Sequence, residues 1–321
     1  MAEEIIPGIL RLPLPLPNLP LDGVNLYLLQ TDDGWILVDT GMDHPQSFKE
    51  LNRQLDEIGV SMDDIQLILL THNHPDHTGM AGRLQEETNA TLAIHENDVK
   101  ANMEDQSTRI EETLVLNGLS KDRIIQLKKM GQQMGETSKP FHPDWLLKGD
   151  ERIPAGKYHF QVLLTPGHSQ GHVCLYDQER QVLLSGDHIL PKITPNIEYG
   201  THDPLADYLS SLKKIQALPV RLALPSHGKQ IDHTEQRIKE MIIHHEVRIS
   251  DILHVLGARK RTALDIASDL QWKGGSISWA DMDGEEQSMA LLETLVHLRY
   301  MVNKGSIKQT ESHDFDYYRA T

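Results

Sequence analysis

The chain has 321 residues, enough for a sizeable core and for two structural units rather than one. A formal net charge of −16 and a pI near 5.5 exclude a protein that grips polyanions over its whole surface. The single cysteine, Cys174, excludes an intramolecular disulfide and a cysteine-rich zinc module; within Val173-Cys174-Leu175-Tyr176 it reads as a buried strand residue.

The start, Met1-Ala2-Glu3-Glu4, is acidic and lacks the apolar core of a signal peptide. No apolar run approaches the roughly 20 residues that span a bilayer, so a cytoplasmic protein without membrane contact is expected. Ile9 to Leu16 and Val24 to Gln30 read as strands, the first confined to an edge or a partly unpaired segment by Pro13, Pro15 and Pro17. After the Asp32-Asp33-Gly34 turn, Trp35 to Val38 forms a strand ending in Asp39-Thr40-Gly41. A carboxylate there can hydrogen-bond metal ligands and orient them, the role expected of Asp39. Ser47 to Ile58 has Phe48, Leu51, Leu55 and Ile58 at helical spacing, with Gly59 as its stop.

The apolar run Ile65 to Leu70 then delivers Thr71-His72-Asn73-His74-Pro75-Asp76-His77-Thr78-Gly79. This His-x-His-x-Asp-His stretch places four potential ligands within six residues, the donor set preferred by zinc and similar divalent ions. A strand would alternate these side chains between faces, whereas a loop can converge them. Four ligands held so closely suit two neighbouring ions better than one tetrahedral ion. That demands further ligands downstream. Ala90 to Ile94 is the next strand, and His95 after it reads as a solvated strand-end histidine.

Residues 98–149 change to a helical pattern. Asn117-Gly118 ends one helix, and Ser120 can cap another whose stripe is Ile124, Leu127, Met130 and Met134. The insertion is expected to pack as core or to serve as a lid or wall of an apolar substrate pocket. Phe160 to Leu164 is a strand followed by Thr165-Pro166-Gly167-His168-Ser169-Gln170-Gly171-His172. His168, in the tight turn, is the better ligand candidate; His172, opening the next strand, is expected to support ligands or the fold. Gln181 to Leu184 leads to Asp187, able to offer one oxygen to each of two ions. Val220 to Leu224 leads to His227. Five apolar runs thus deliver an aspartate or histidine at the carboxyl end, which points to one shared edge.

Those residues, in that order, resemble the metallo-β-lactamase superfamily over residues 5–235. The resemblance rests on Asp39 in Val-Asp-Thr-Gly, the His72–His77 cluster, His168 in Gly-His-Ser, Asp187 in Ser-Gly-Asp and His227 in Ser-His-Gly. It implies an α+β fold, a four-layer αβ/βα sandwich with the metals at one edge. It also implies that His72, His74 and His168 bind one ion, that Asp76, His77 and His227 bind a second, and that Asp187 bridges them. Asp76 is expected to be catalytic as well as a ligand. Two divalent ions, zinc first with iron or manganese as other choices, would then supply a metal-bound hydroxide for hydrolysis. His74 disfavours the flavodiiron branch, where a glutamate normally replaces it.

Beyond residue 235 the chain reads as a linker helix and a second unit. Asp203 caps a helix with Pro204 first and with Leu205, Leu209, Leu212 and Ile215 inward, belonging to the catalytic unit. Thr234 to Leu256 links the units, with Gly257 as its stop. Thr262 to Asp265 forms a capping box, Glu286 to Lys304 is a helix, and Ile307 to Tyr318 is a hairpin turning near Ser312-His313-Asp314. This order is similar to a winged-helix domain. Residues 241–321 hold 9 Lys+Arg against 12 Asp+Glu, a balance of −3 that suits phosphates poorly. Homodimerisation or completion of the substrate pocket is therefore preferred to nucleic-acid contact for this unit.

The expected function is hydrolysis of a small ester, thioester or lactone, with Tyr199 and His202 in the 189–202 loop lining the pocket. The alternatives are a metal-dependent endoribonuclease and a metal-responsive regulator with a winged-helix output. The absence of an evident export signal argues against β-lactam hydrolysis.

Overall fold

Most strands of this chain are apolar on both faces, so each sheet needs a covering layer on each side. The computed structural model describes residues 1–17, 22–103, 106–126, 138–200, 203–311 and 315–321. Its first sheet lays out β1 (Glu3–Ile6), β2 (Ile9–Leu14), β3 (Val24–Gln30), β4 (Trp35–Val38), β5 (Ile65–Leu69), β6 (Thr91–His95) and β7 (Trp145–Leu147) side by side in chain order. β1 to β4 pair antiparallel; β4 to β7 pair parallel. Parallel pairing needs crossovers, and helices supply them. They are α1 (Pro45–Ile58), α2 (Pro75–Thr78), α3 (Ala81–Glu87), α4 (Glu96–Met103) and α5 (Gln106–Leu116).

The second sheet has the order β12-β11-β10-β9-β8. Its strands are β8 (Arg152–Ala155), β9 (Tyr158–Leu164), β10 (Val173–Asp177), β11 (Val182–Gly186) and β12 (Leu222–Pro225). Only β11 and β12 are parallel, joined through α6 (Pro204–Gln216). Alternation along the strands sorts side chains between layers. Tyr27, Leu29, Ile36, Val38 and Leu69 meet Phe160, Val162, Leu175 and Leu184 between the sheets. Leu26, Leu28, Leu37 and Ile68 face the other way, onto Leu51 and Leu55 of α1. Leu163, Cys174 and Leu183 pack outward against Tyr208, Leu212 and Ile215. The result is helix, sheet, sheet, helix, with Cys174 free and buried.

The prolines sit where the sheet can accept them. β3 runs the length of β2, but β1 covers only Ile9 to Arg11, so Pro13 lies on a stretch open on its other side. Gln54 and Ser47 of α1 donate to the carbonyls of Pro13 and Pro15 there.

Beyond the sandwich come α7 (Thr234–Leu256), α8 (Ala263–Asp269), α9 (Gly284–Asn303) and a hairpin of β13 (Ile307–Thr310) with β14 (Tyr317–Ala320). α7 is shared: Ile238 and Met241 join the sandwich, while Ile252 and Leu256 join a separate core with Ile266, Leu291, Leu295 and Leu298. α9 begins before the expected Glu286, because Asp283 caps it and forms a box with Glu286. The expected hairpin turn at 312–314 lies outside the described residues.

Of the two roles expected for the insertion, core or pocket wall, its described residues take the first. Its described residues Leu114, Leu119 and Ile124 belong to the C-terminal core. Leu127, Met130 and Met134 lie outside the described residues. No helix among the described residues is long and apolar enough to cross a membrane.

Candidate metal centre

Five strand-end loops meet at one edge of the sandwich. After β4, Asp39 adopts a left-handed backbone with φ of 63°, which a short polar side chain tolerates. After β5, Pro75 opens the one-turn α2, whose N-cap is His74. The β9–β10 turn needs Gly167: at φ of 134° a Cβ would lie 2.4 Å from Cβ of Tyr208. Gly186, at φ of 51°, sits where a Cβ would lie 2.6 Å from His172 Nε2. These turns bring the carriers of Asp39, His72–His77, His168, Asp187 and His227 together.

Three sets have their nitrogen or oxygen atoms within 4.8 Å of one another: His72, His74 and His168; His72, His77 and Asp187; and Asp76, His77 and His227. Asp187 Oδ2 lies 3.5 Å from His168 Nε2, 3.6 Å from His77 Nε2 and 3.4 Å from His227 Nε2. One carboxylate oxygen therefore adjoins all the sets.

Hydrogen bonds to the far ring nitrogens assign the tautomers. His168 Nδ1 donates to the Asn196 carbonyl at 2.6 Å, and His227 Nδ1 to the Gly23 carbonyl at 2.8 Å. His77 Nδ1 donates to Asp39 at 2.8 Å. Thr71 Oγ1 gives its proton to the Asp39 carboxylate, so it accepts from His72 Nδ1 at 3.0 Å. In each ring Nδ1 is committed, so Nε2 is the nitrogen that can face a cation.

Those nitrogens fit a cation. The Nε2 atoms of His72 and His168 face each other at 3.1 Å with both protons committed elsewhere. His77 Nε2, His227 Nε2 and Asp187 Oδ1 are buried without a hydrogen-bond partner. Burial, then neighbouring imidazoles, hold His72 well below its ordinary value, and burial lowers His168. Burial and His168 bring His74 down to about 3. Burial would raise Asp76, but His77 and His227 hold it at about 2. Burial opposes protonation of His227, yet Asp187 and Asp76 carry it up to about 10. Imidazoles beside ionised carboxylates form a divalent-metal donor set; burial opposes protonation of His77, but Asp76, Asp39 and Asp187 hold it well above its ordinary value, so a metal would displace a proton from His77 as well as from His227.

His172 takes a different place. Its Nδ1 donates to Thr165 Oγ1 at 2.8 Å, and its Nε2 accepts the Asp187 backbone N–H at 3.1 Å. It therefore orients Asp187. His95 is buried, contrary to the solvated expectation, and its Nδ1 accepts from Asn97 N; it joins none of the sets.

Above the cluster opens a cleft of about 490 Å³. His74, Asp76, His168, Asp187 and His227 line it, with Leu190, Ile193, Pro195 and Ile197 from the segment after β11. Tyr199 lines it as expected, and His202 lies outside the described residues. Met289, Leu292 and Glu293 of α9 complete the wall.

The sequence reading missed Asp98, which accepts from Asn73 N at 3.0 Å, Ser169 Oγ at 2.9 Å and Gly171 N at 2.5 Å, tying two ligand-bearing loops together. Its position just after β6 was the available signal. Glu198 was missed too: it lines the cleft with Oε2 unpartnered, and burial, then Asp98, push its carboxyl up to about 7.

Comparisons with known proteins place this arrangement. The chain is similar to the lactamase-like protein aptB of Emericella nidulans, 27% identical over 237 residues, covering 74% of this chain but only 61% of that relative's length. The probable metallo-hydrolase YqjP of Bacillus subtilis is 24% identical over 285 residues, 84% of this chain and 85% of YqjP. The crystal structure of metallo-beta-lactamase family protein TTHA1429 from Thermus thermophilus is 29% identical, with a TM-score of 0.84 over 99% of this chain and 100% of that one. The likeness thus extends through the helices after the sandwich. The family model described as metallo-beta-lactamase superfamily matches residues 19–227, ending on the last histidine of the converging set, and this chain belongs to that superfamily.

Proposed function

We propose that the protein is a binuclear metal-dependent hydrolase of small esters, thioesters or lactones. The observation that carries this reading is the set of Nε2 atoms and carboxylates on the floor of a largely apolar cleft. In it His72, His74 and His168 hold one ion, Asp76, His77 and His227 the other, and Asp187 stands between them. Zinc suits the nitrogen and oxygen donors best, with iron and manganese as substitutes. Such ions supply Lewis acidity and lower the pKa of water enough for attack near neutral pH.

The chain's own residues do the rest. Asp39 holds His77 directly and His72 through Thr71, and His172 holds the backbone of Asp187. Asp76, a partly exposed carboxylate on the cleft floor, is proposed to accept a hydrogen bond from the attacking water and orient it. Leu190, Ile193, Ile197, Met289 and Leu292 exclude bulk water and favour an apolar acyl group, with Tyr199 beside it.

Zinc-loaded protein is expected to hydrolyse 4-nitrophenyl butyrate or an acyl thioester with an activity that chelation abolishes and zinc restores, and His72→Ala should lose at least about 100-fold. No metal-dependent turnover on a panel of esters, thioesters and lactones, together with RNA cleavage that His72→Ala abolishes, would overturn it.

That endoribonuclease outcome is the second reading. The order of three helices and a hairpin, which we propose to be winged-helix-like, favours it. The −3 balance over residues 241–321 and the use of α9 as cleft wall favour pocket completion. A homodimer through this unit is a further proposal, tested by light scattering.

A further inference from the structure

The segment Ile189–Gly200 contains no strand or helix, yet it performs two tasks. It forms the apolar cleft wall, and its Asn196 carbonyl accepts the proton of His168 Nδ1. A segment without ladder hydrogen bonds holds such a carbonyl in place only through ties from elsewhere. Two of those ties are arginines from the helices that follow the sandwich. Arg237 of α7 donates through Nε to the Leu190 carbonyl at 2.6 Å and through Nη2 to the Ile193 carbonyl at 2.8 Å. Arg299 of α9 donates to the Gly200 carbonyl and the Tyr199 hydroxyl, and its guanidinium lies 4.1 Å over the Tyr199 ring. Just beyond, Asn303 of α9 donates to Asp203 at 2.9 Å. Asn196 sits between the two arginine anchors, and the planar five-donor fork lets one side chain hold two acceptors at once.

We infer that Arg237 and Arg299 are positioning residues for the metal centre, acting through the Ile189–Gly200 segment on His168. They keep the Asn196 carbonyl on Nδ1, so that the Nε2 lone pair faces His72, and they keep the apolar wall at its distance from the floor. The helices after the sandwich are then part of the site. This inference rests on the metal reading above.

The test titrates metal-free protein with Zn²⁺ alone against a chromophoric chelator, for the wild type, Arg237→Met, Arg299→Met, the two Arg→Lys variants and Leu291→Ala. Leu291 is fully buried in the C-terminal core, so its truncation lowers stability while leaving both guanidinium groups in place. The Met variants are expected to lose about tenfold or more in zinc affinity, as when other outer partners of a ligand are removed. Lysine, reaching a single acceptor, should retain an intermediate affinity, and it gives the reading if a Met variant does not fold. Leu291→Ala should stay within about twofold of wild type. Amide hydrogen exchange across residues 190–200 should rise in the Met variants alone. Unchanged zinc affinity in both Met variants, or an equal loss in Leu291→Ala, overturns the inference. A wild type that binds no zinc fails at a different step, and removes the metal reading together with it.

Discussion

Asp39 gathers more of the site than any ligand does. It accepts from Thr71 N at 2.8 Å, Thr71 Oγ1 and His77 Nδ1, so one carboxylate orients the His77 ring directly and the His72 ring through Thr71. Asp39→Ala should therefore weaken zinc binding about 10- to 100-fold, read by chelator competition, with Thr71→Val losing less because His77 keeps its acceptor. Asp98 supports a pH prediction. Burial raises its carboxyl from 3.8 to about 6. Below about pH 4 it is protonated in both folded and unfolded chains; as pH rises toward 6 the unfolded chain ionises first, so the contribution of Asp98 to stability falls. The fall is about 3 kcal/mol at most. Asp98→Asn should lack that slope when urea midpoints of the two proteins are compared from pH 4 to 7. Asp39 was legible because it ends an apolar run beside a glycine turn. Asp98 was not, since its partners stand 25, 71 and 73 residues away and no local period encodes them. His168 was preferred to His172 on local grounds, a tight turn against a strand start, but the sequence alone did not decide between them.

Strands and helix ends were the most readable elements, because period-two alternation and capping chemistry are local. The Thr262 box and the Gly59 stop both lie where their residues point. The 189–202 loop was readable as a cleft wall, but the contribution of α9 was not. That contribution depends on how a distant helix docks. Docking between elements also fixes the His227 turn. Asn25 of β3 donates to the Pro225 carbonyl at 3.0 Å and the Gly228 carbonyl at 2.9 Å, while Tyr27 donates to Pro225 at 2.8 Å. Asn25→Ala leaves two acceptors without that donor and should cost about 1–3 kcal/mol in urea denaturation. It should also weaken zinc binding, because His227 lies between the two carbonyls.

Across the whole molecule the metal centre joins both sheets, since β5 and its loop belong to one and β9, β11 and β12 to the other. An ion held there cross-links the sandwich. Stripping with a chelator should lower the thermal midpoint, and zinc at 1,000 times its Kd should restore about 4 kcal/mol. A copper or magnesium wash without that recovery would leave zinc as the better fit. The boundary expected at 235 lies inside the first turn of α7. That helix has 23 residues, about 34 Å of unbroken rise, with one end rooted in the sandwich and the other in the C-terminal core. A rod anchored at both ends places no loop between the two cores. At the rim of the cleft Ile193 and Met289 are half-exposed, and exposed side chains swivel within nanoseconds. Shortening that pair to alanine should therefore widen the mouth and admit bulkier acyl groups, read as a shift in KM along a series of 4-nitrophenyl esters.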